Sequence, residues 1–89
     1  MANKLSERLV NELKFKESMT ALCGKKITKN HYIECMSTFK KESSDSVRVR
    51  LFVDDSEGSR IYDLFVTDDF NKIKDFVKSV KNGTWEDFE

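Results

Sequence analysis

Apolar positions change period twice along the chain. Leu5, Leu9 and Leu13 recur every four residues and predict a helix capped by Asn3 or Ser6. Phe15, Met19 and Leu22 keep helical spacing but point to another side. Helical structure is therefore expected over residues 3–23, with a bend or break between Lys14 and Glu17 and a stop at Gly24. The basic run KKITKN follows as a connector over 24–30.

From His31 the period falls to two. Ile33, Cys35 and Phe39 alternate with Tyr32, Glu34, Met36 and Thr38, the pattern of a half-buried strand over about 31–40. After the polar stretch KKESSDS, the run VRVRLFV predicts a strand over 46–54. It sets Val47, Val49, Leu51 and Val53 on one face, with Arg48, Arg50 and Phe52 on the other. A turn at DDSEGS leads into a returning strand over 60–67, in which Tyr62, Leu64 and Val66 are expected to face the core and Ile61, Asp63 and Phe65 the opposite side. Phe70, Ile73, Phe76, Val77 and Val80 then predict a helix over 68–82, capped by Thr67 or Asp68 and closed by Asn82 and Gly83. An acidic tail, 83–89, carries Trp85. The expected fold class is α+β in one domain: helix, three-stranded antiparallel sheet, helix, with both helices packed on one sheet face.

Composition sharpens this picture in one respect. The 89 residues have no formal net charge, yet residues 1–41 hold nine Lys and Arg against four Glu, while 42–89 hold seven against twelve Asp and Glu. The halves balance at +5 and −5. The charges either neutralise each other across the folded domain or leave an acidic face for a basic partner. No apolar run is long enough to span a membrane, and the first residues are charged where a signal peptide is apolar. A soluble, cytoplasmic protein with reduced thiols is expected.

Candidate chemistry is thin. Cys23, His31 and Cys35 are three potential metal ligands where a structural zinc site takes four. Within one strand, His31 and Cys35 are separated by roughly 13 Å at about 3.3 Å per residue, too far to share an ion or to act as a nucleophile and base pair. Asp54, Asp55 and Glu57 lie in a turn too short for a calcium loop, and Asp68 and Asp69 sit where a helix dipole favours negative charge. No cofactor, metal site or catalytic set is expected. The element order resembles a double-stranded RNA-binding domain, but the start of the last helix reads TDDFNKIK, with acid where that family grips phosphate.

The outward face of the expected sheet is the more informative surface. Tyr32, Met36, Phe52, Ile61 and Phe65 sit among Arg48, Arg50, Glu34 and Asp63. Such a face suits a protein contact, a homodimer or single-stranded RNA or DNA stacked on Tyr32, Arg48, Arg50, Phe52 and Phe65, with Lys25, Lys26 and Lys29 on phosphates. It is absent if the first helix wraps over it.

The last third, RIYDLFVTDDFNKIKDFVKSVKNGTWEDFE, resembles the end of small phage anti-CRISPR proteins that block Cas9. The matching positions are Phe76, Lys81, Asn82, Gly83, Trp85, Glu86 and Asp87. The resemblance implies a phage-encoded, non-enzymatic inhibitor whose acidic surface fills the basic channel of a larger bacterial protein, a nuclease or other nucleic-acid-binding enzyme. The basic first half departs from that family's charge pattern. The acidic contact set expected on this reading is Asp54, Asp55 and Glu57 in the hairpin with Glu86, Asp87 and Glu89 in the tail. The alternative is a single-stranded nucleic-acid module on the open sheet.

Overall fold

The computed structural model describes residues 4–19, 21–37 and 46–88, with side chains as far as Glu86. Helix α1 (Lys4–Glu12) buries Leu5 and Leu9 and then stops. The stop is a backbone motif. Leu13 and Phe15 both donate their amide N–H to the Leu9 carbonyl at 3.1 Å. Lys14 between them takes a left-handed conformation at φ 63°, a geometry that usually falls to glycine at a helix end. The Lys25 ammonium donates to the Leu13 carbonyl at 2.6 Å and places positive charge on the same helix terminus. Replacing Lys14 with Gly removes the Cβ strain of that conformation and is expected to raise stability by about 1 kcal/mol. In a domain this small the thermal midpoint should rise by roughly 4–8 °C, measured by circular dichroism.

The expected arrangement of one three-stranded sheet between helices is overturned, although the class is still α+β. The sheet has five antiparallel strands in the order β1-β2-β3-β4-β5. They are β1 (Lys16–Glu17), β2 (Cys23–Thr28), β3 (His31–Ser37), β4 (Val47–Asp55) and β5 (Gly58–Thr67). The helical stretch expected beyond Lys14 does not form. Phe15 enters the core at 2% exposure while Met19 is fully exposed. The segment expected as a basic connector is instead β2, paired along its length with β3. The comparison with double-stranded RNA-binding domains fails with the three-stranded order on which it stood. Thr38 and Phe39, expected at the end of the first strand, lie outside the described residues.

Helix α2 (Phe70–Asn82) follows β5 directly. Its cap is Asp69, whose carboxylate accepts from the Asn71 amide at 2.9 Å. Gly83, left-handed at φ 80°, closes the helix, and Thr84 donates to the Ser79 carbonyl at 2.8 Å. A short 3-10 turn (Trp85–Phe88) completes the described chain. One core unites Leu5, Leu9 and Phe15 with one face of the sheet and with Phe70, Ile73, Phe76, Val77 and Val80 of α2. The inward sheet residues are Cys23, Ile33, Cys35, Val47, Val49, Leu51 and Val53. The register assigns the other face. Tyr32 lies opposite Phe52 and Phe52 opposite Ile61; Glu34 opposite Arg50 and Arg50 opposite Asp63; Met36 opposite Arg48 and Arg48 opposite Val66.

A bulge in β5 reverses one sequence expectation. Val49 pairs with Phe65 but Arg50 pairs with Asp63, so Leu64 is the extra residue. One inserted residue turns everything after it to the other side. Phe65 therefore faces inward, its ring edge-on to Phe76 with centroids 5.4 Å apart, and Val66 faces outward at 51% exposure.

Candidate binding surfaces

Three cross-strand rows build the outer sheet face. At one end Tyr32, Phe52 and Ile61 form an apolar row, with the Tyr32 and Phe52 rings edge to face at 6.0 Å and Ile61 55% exposed. Tyr32 is held over β2 because Gly24 has no side chain; a Cβ there would collide with the phenol. Burial, with Glu34 as the next cause, pushes the Tyr32 hydroxyl above its ordinary pKa. The middle row is ionic. Arg50 approaches Glu34 at 3.5 Å and the Met36 sulfur at 3.1 Å, and its guanidinium lies 5.3 Å from the Phe52 ring centre. Arg48 joins Asp63 at 2.9 Å. Both arginines are thus matched by a carboxylate, and the patch is mixed and close to neutral. Among the described residues no element covers it.

The expected face set is therefore brought together in part. Tyr32, Arg48, Arg50 and Phe52 meet there; Phe65 belongs to the core. The lysines expected as phosphate contacts also separate. Lys25 is directed to the α1 terminus, where burial and then the neighbouring Lys81 and Lys14 lower its pKa, whereas Lys26 and Lys29 are exposed.

The hairpin carboxylates Asp54, Asp55 and Glu57 lie at the β4–β5 end of the sheet. Asp54 receives the Ser59 hydroxyl at 3.1 Å, and its amide donates to the Asn30 carbonyl at 2.8 Å, which ties the β4–β5 hairpin to the β2–β3 turn. Asp55 accepts from the Glu57 amide and pairs with Arg60 at 2.6 Å, while Glu57 lies 3.3 Å from the same guanidinium. The hairpin thus carries three carboxylates against one arginine. The tail is carried to the same end by Trp85, whose buried indole packs against Tyr62 at 5.0 Å and His31 at 6.5 Å between ring centres. Glu86 beside it is exposed. The Asp87 side chain and Glu89 lie outside the described residues.

The cysteines occupy a different place. Cys23 and Cys35 are direct cross-strand partners, fully buried on the helix side of the sheet. His31 stands at the far end of β3 with its Nδ1 2.7 Å from the Thr28 hydroxyl. Among the described residues, no group of three or more His, Cys, Asp or Glu side chains could hold a metal ion.

Sequence reasoning missed the β2–β3 hairpin, and with it the Cys23–Cys35 pair, the seat of Tyr32 on Gly24 and the turn of Lys25 onto α1. A signal was present. Cys23, Lys25 and Ile27 alternate before the turn as His31, Ile33 and Cys35 do after it, but the lysines mask the period. Among the described residues no helix is long and apolar enough to cross a membrane. No protein-family model, curated protein or solved structure matches this chain.

Proposed function

We propose that this domain is a non-catalytic protein-binding module that inhibits or modulates a larger nucleic-acid-handling or defence enzyme through its acidic end. The observation that supports the reading is the packing of Trp85 on Tyr62 and on His31, whose β4 partner Val53 directly precedes the acidic hairpin, so the start of the tail approaches that end of the sheet although the two are far apart in sequence. Asp54, Asp55, Glu57 and Glu86 outnumber the cations nearest them, Arg60, Lys26 and Lys29, and this negative surplus would meet a basic groove. The resemblance of the last third to Cas9 inhibitors makes a phage origin and a nuclease target the first form of this reading to test.

Single-stranded nucleic acid on the open sheet is the second reading, favoured by the half-buried Tyr32 and Phe52 rings with Lys26 at their side. It is weakened by the pairing of Arg48 with Asp63 and Arg50 with Glu34, since a phosphate must compete with a carboxylate for each guanidinium. Affinity capture from bacterial lysate with the tagged chain, run beside titration of labelled oligonucleotides at low and moderate salt, separates them. A specific protein partner with no oligonucleotide binding supports the inhibitor reading. Tight, steeply salt-dependent oligonucleotide binding without a protein partner overturns it.

A further inference from the structure

We infer that Cys23 and Cys35 are a redox modification site, two buried thiols poised across adjacent strands to close into a reversible disulfide on exposure to a peroxide. Register is the basis. The two residues are direct Cα partners in the β2–β3 ladder. Directly opposed residues in an antiparallel pair have Cα atoms roughly 4.5–5.5 Å apart, inside the roughly 4.4–6.8 Å that a disulfide spans. Both side chains project to the same face, so closure needs no shift of strand or register.

The pair is chemically unequal. A hydrogen bond from Cys35 holds the Cys23 thiol below its ordinary pKa, while the same bond and then burial push Cys35 well above its own. Cys23 is therefore the more acidic thiol of the pair and the one that reacts first once opened to peroxide. Its sulfur attacks one oxygen of hydrogen peroxide; an S–O bond forms, the O–O bond breaks, and the departing hydroxide takes a proton to leave as water. Cys23 is then a sulfenic acid. The Cys35 sulfur attacks it, the S–S bond forms, the S–O bond breaks, and hydroxide leaves with the proton from Cys35 as a second water. Two thiols are oxidised and one peroxide is reduced to two waters.

Access comes from the sheet edge. Both thiols are at 0% exposure in the core beneath the helices, and within the sheet Cys23 pairs on its outer side with Glu17 of the two-residue strand β1, so peroxide reaches it through local opening of that edge and the core above it. A strand that short opens locally at far lower cost than the whole domain. Cys23 adjoins Gly24, on which Tyr32 rests, so the disulfide locks the strand beneath the apolar row of the outer face. This inference is independent of the proposed function, because its readout needs no partner.

The test uses the full chain with graded hydrogen peroxide, then denaturation, alkylation and mass spectrometry, with Cys23→Ser and Cys35→Ser alongside. The expected result is a monomer that loses two hydrogens and both alkylatable thiols together, restored by dithiothreitol, with Cys35→Ser stopping at a Cys23 sulfenic acid trapped by dimedone. Persistence of both thiols, at a peroxide dose that oxidises the denatured chain, overturns the inference. Oxidation only to intermolecular dimers or sulfinic acid also overturns it. If a serine variant fails to fold, the wild-type peptide map decides alone: a Cys23–Cys35 linked peptide supports the site and its absence rejects it.

Discussion

Replacing Phe76 with Ala is expected to lower the unfolding free energy by about 3–5 kcal/mol, the range for deleting a fully buried aromatic side chain. The ring has 0% exposure and meets Phe65 edge-on at the point where the β5 bulge turns that side chain inward. Its loss leaves a cavity between α2 and the sheet and removes the ring against which Phe65 packs. A domain of this size has a total stability of only roughly 4–13 kcal/mol, so the variant should be marginal. Urea unfolding followed by circular dichroism should show a lower midpoint with an unchanged slope. Phe52→Ala is the internal control. Phe52 lies on the open face and is partly exposed, so the change should cost well under half as much. Equal losses at the two positions would contradict the placement of α2 and both aromatics.

Those two phenylalanines also show what was legible in the chain. Strand β4 could be read because Val47, Val49, Leu51 and Val53 alternate without interruption with Arg48, Arg50 and Phe52, and α2 because its apolar residues follow one helical stripe to a glycine stop. Alternation alone puts Phe65 on the wrong face, because a bulge depends on pairing between strands and leaves no mark in the alternation of one strand. The first half of the chain is opaque for a related reason. Phe15, Met19 and Leu22 keep helical spacing, yet the chain turns at Lys14, a residue with no intrinsic preference for the left-handed conformation that it takes there. Tertiary packing decides the turn, through burial of Phe15 and the reach of Lys25 to the α1 carbonyls. The acidic residues were visible as two runs in the sequence, but their common location depends on the Trp85 contacts, which no local pattern encodes. The β2–β3 hairpin stayed hidden because Lys25 and Lys26 stand where alternation would need one apolar and one polar residue.

That common location makes the acidic end the place where a small change should have the largest effect on binding. Asp54, Glu57 and Glu86 are exposed, and replacing them with Asn, Gln and Gln removes three negative charges while keeping side-chain shape and the possibility of the Ser59 hydrogen bond. Asp55 should be left alone, because it pairs with Arg60 and accepts the Glu57 amide, so its loss would disturb the hairpin itself. The fold should be unchanged, as judged by an unfolding midpoint within the error of the wild type. Association with a captured basic partner should slow by about tenfold or more at low ionic strength, with little change in dissociation, because exposed charges act mainly on the encounter. The difference should shrink as salt rises toward roughly 0.5 M, where the screening length falls to a few ångströms. Surface plasmon resonance across a salt series reads both rate constants. Replacing Lys26 and Lys29 with Gln should leave the association rate nearly unchanged or raise it slightly, since these cations oppose the field of the carboxylates. If the lysine variant abolished binding while the carboxylate variant bound as the wild type, the acidic end would not be the contact surface, and nucleic acid on the open sheet would become the leading explanation.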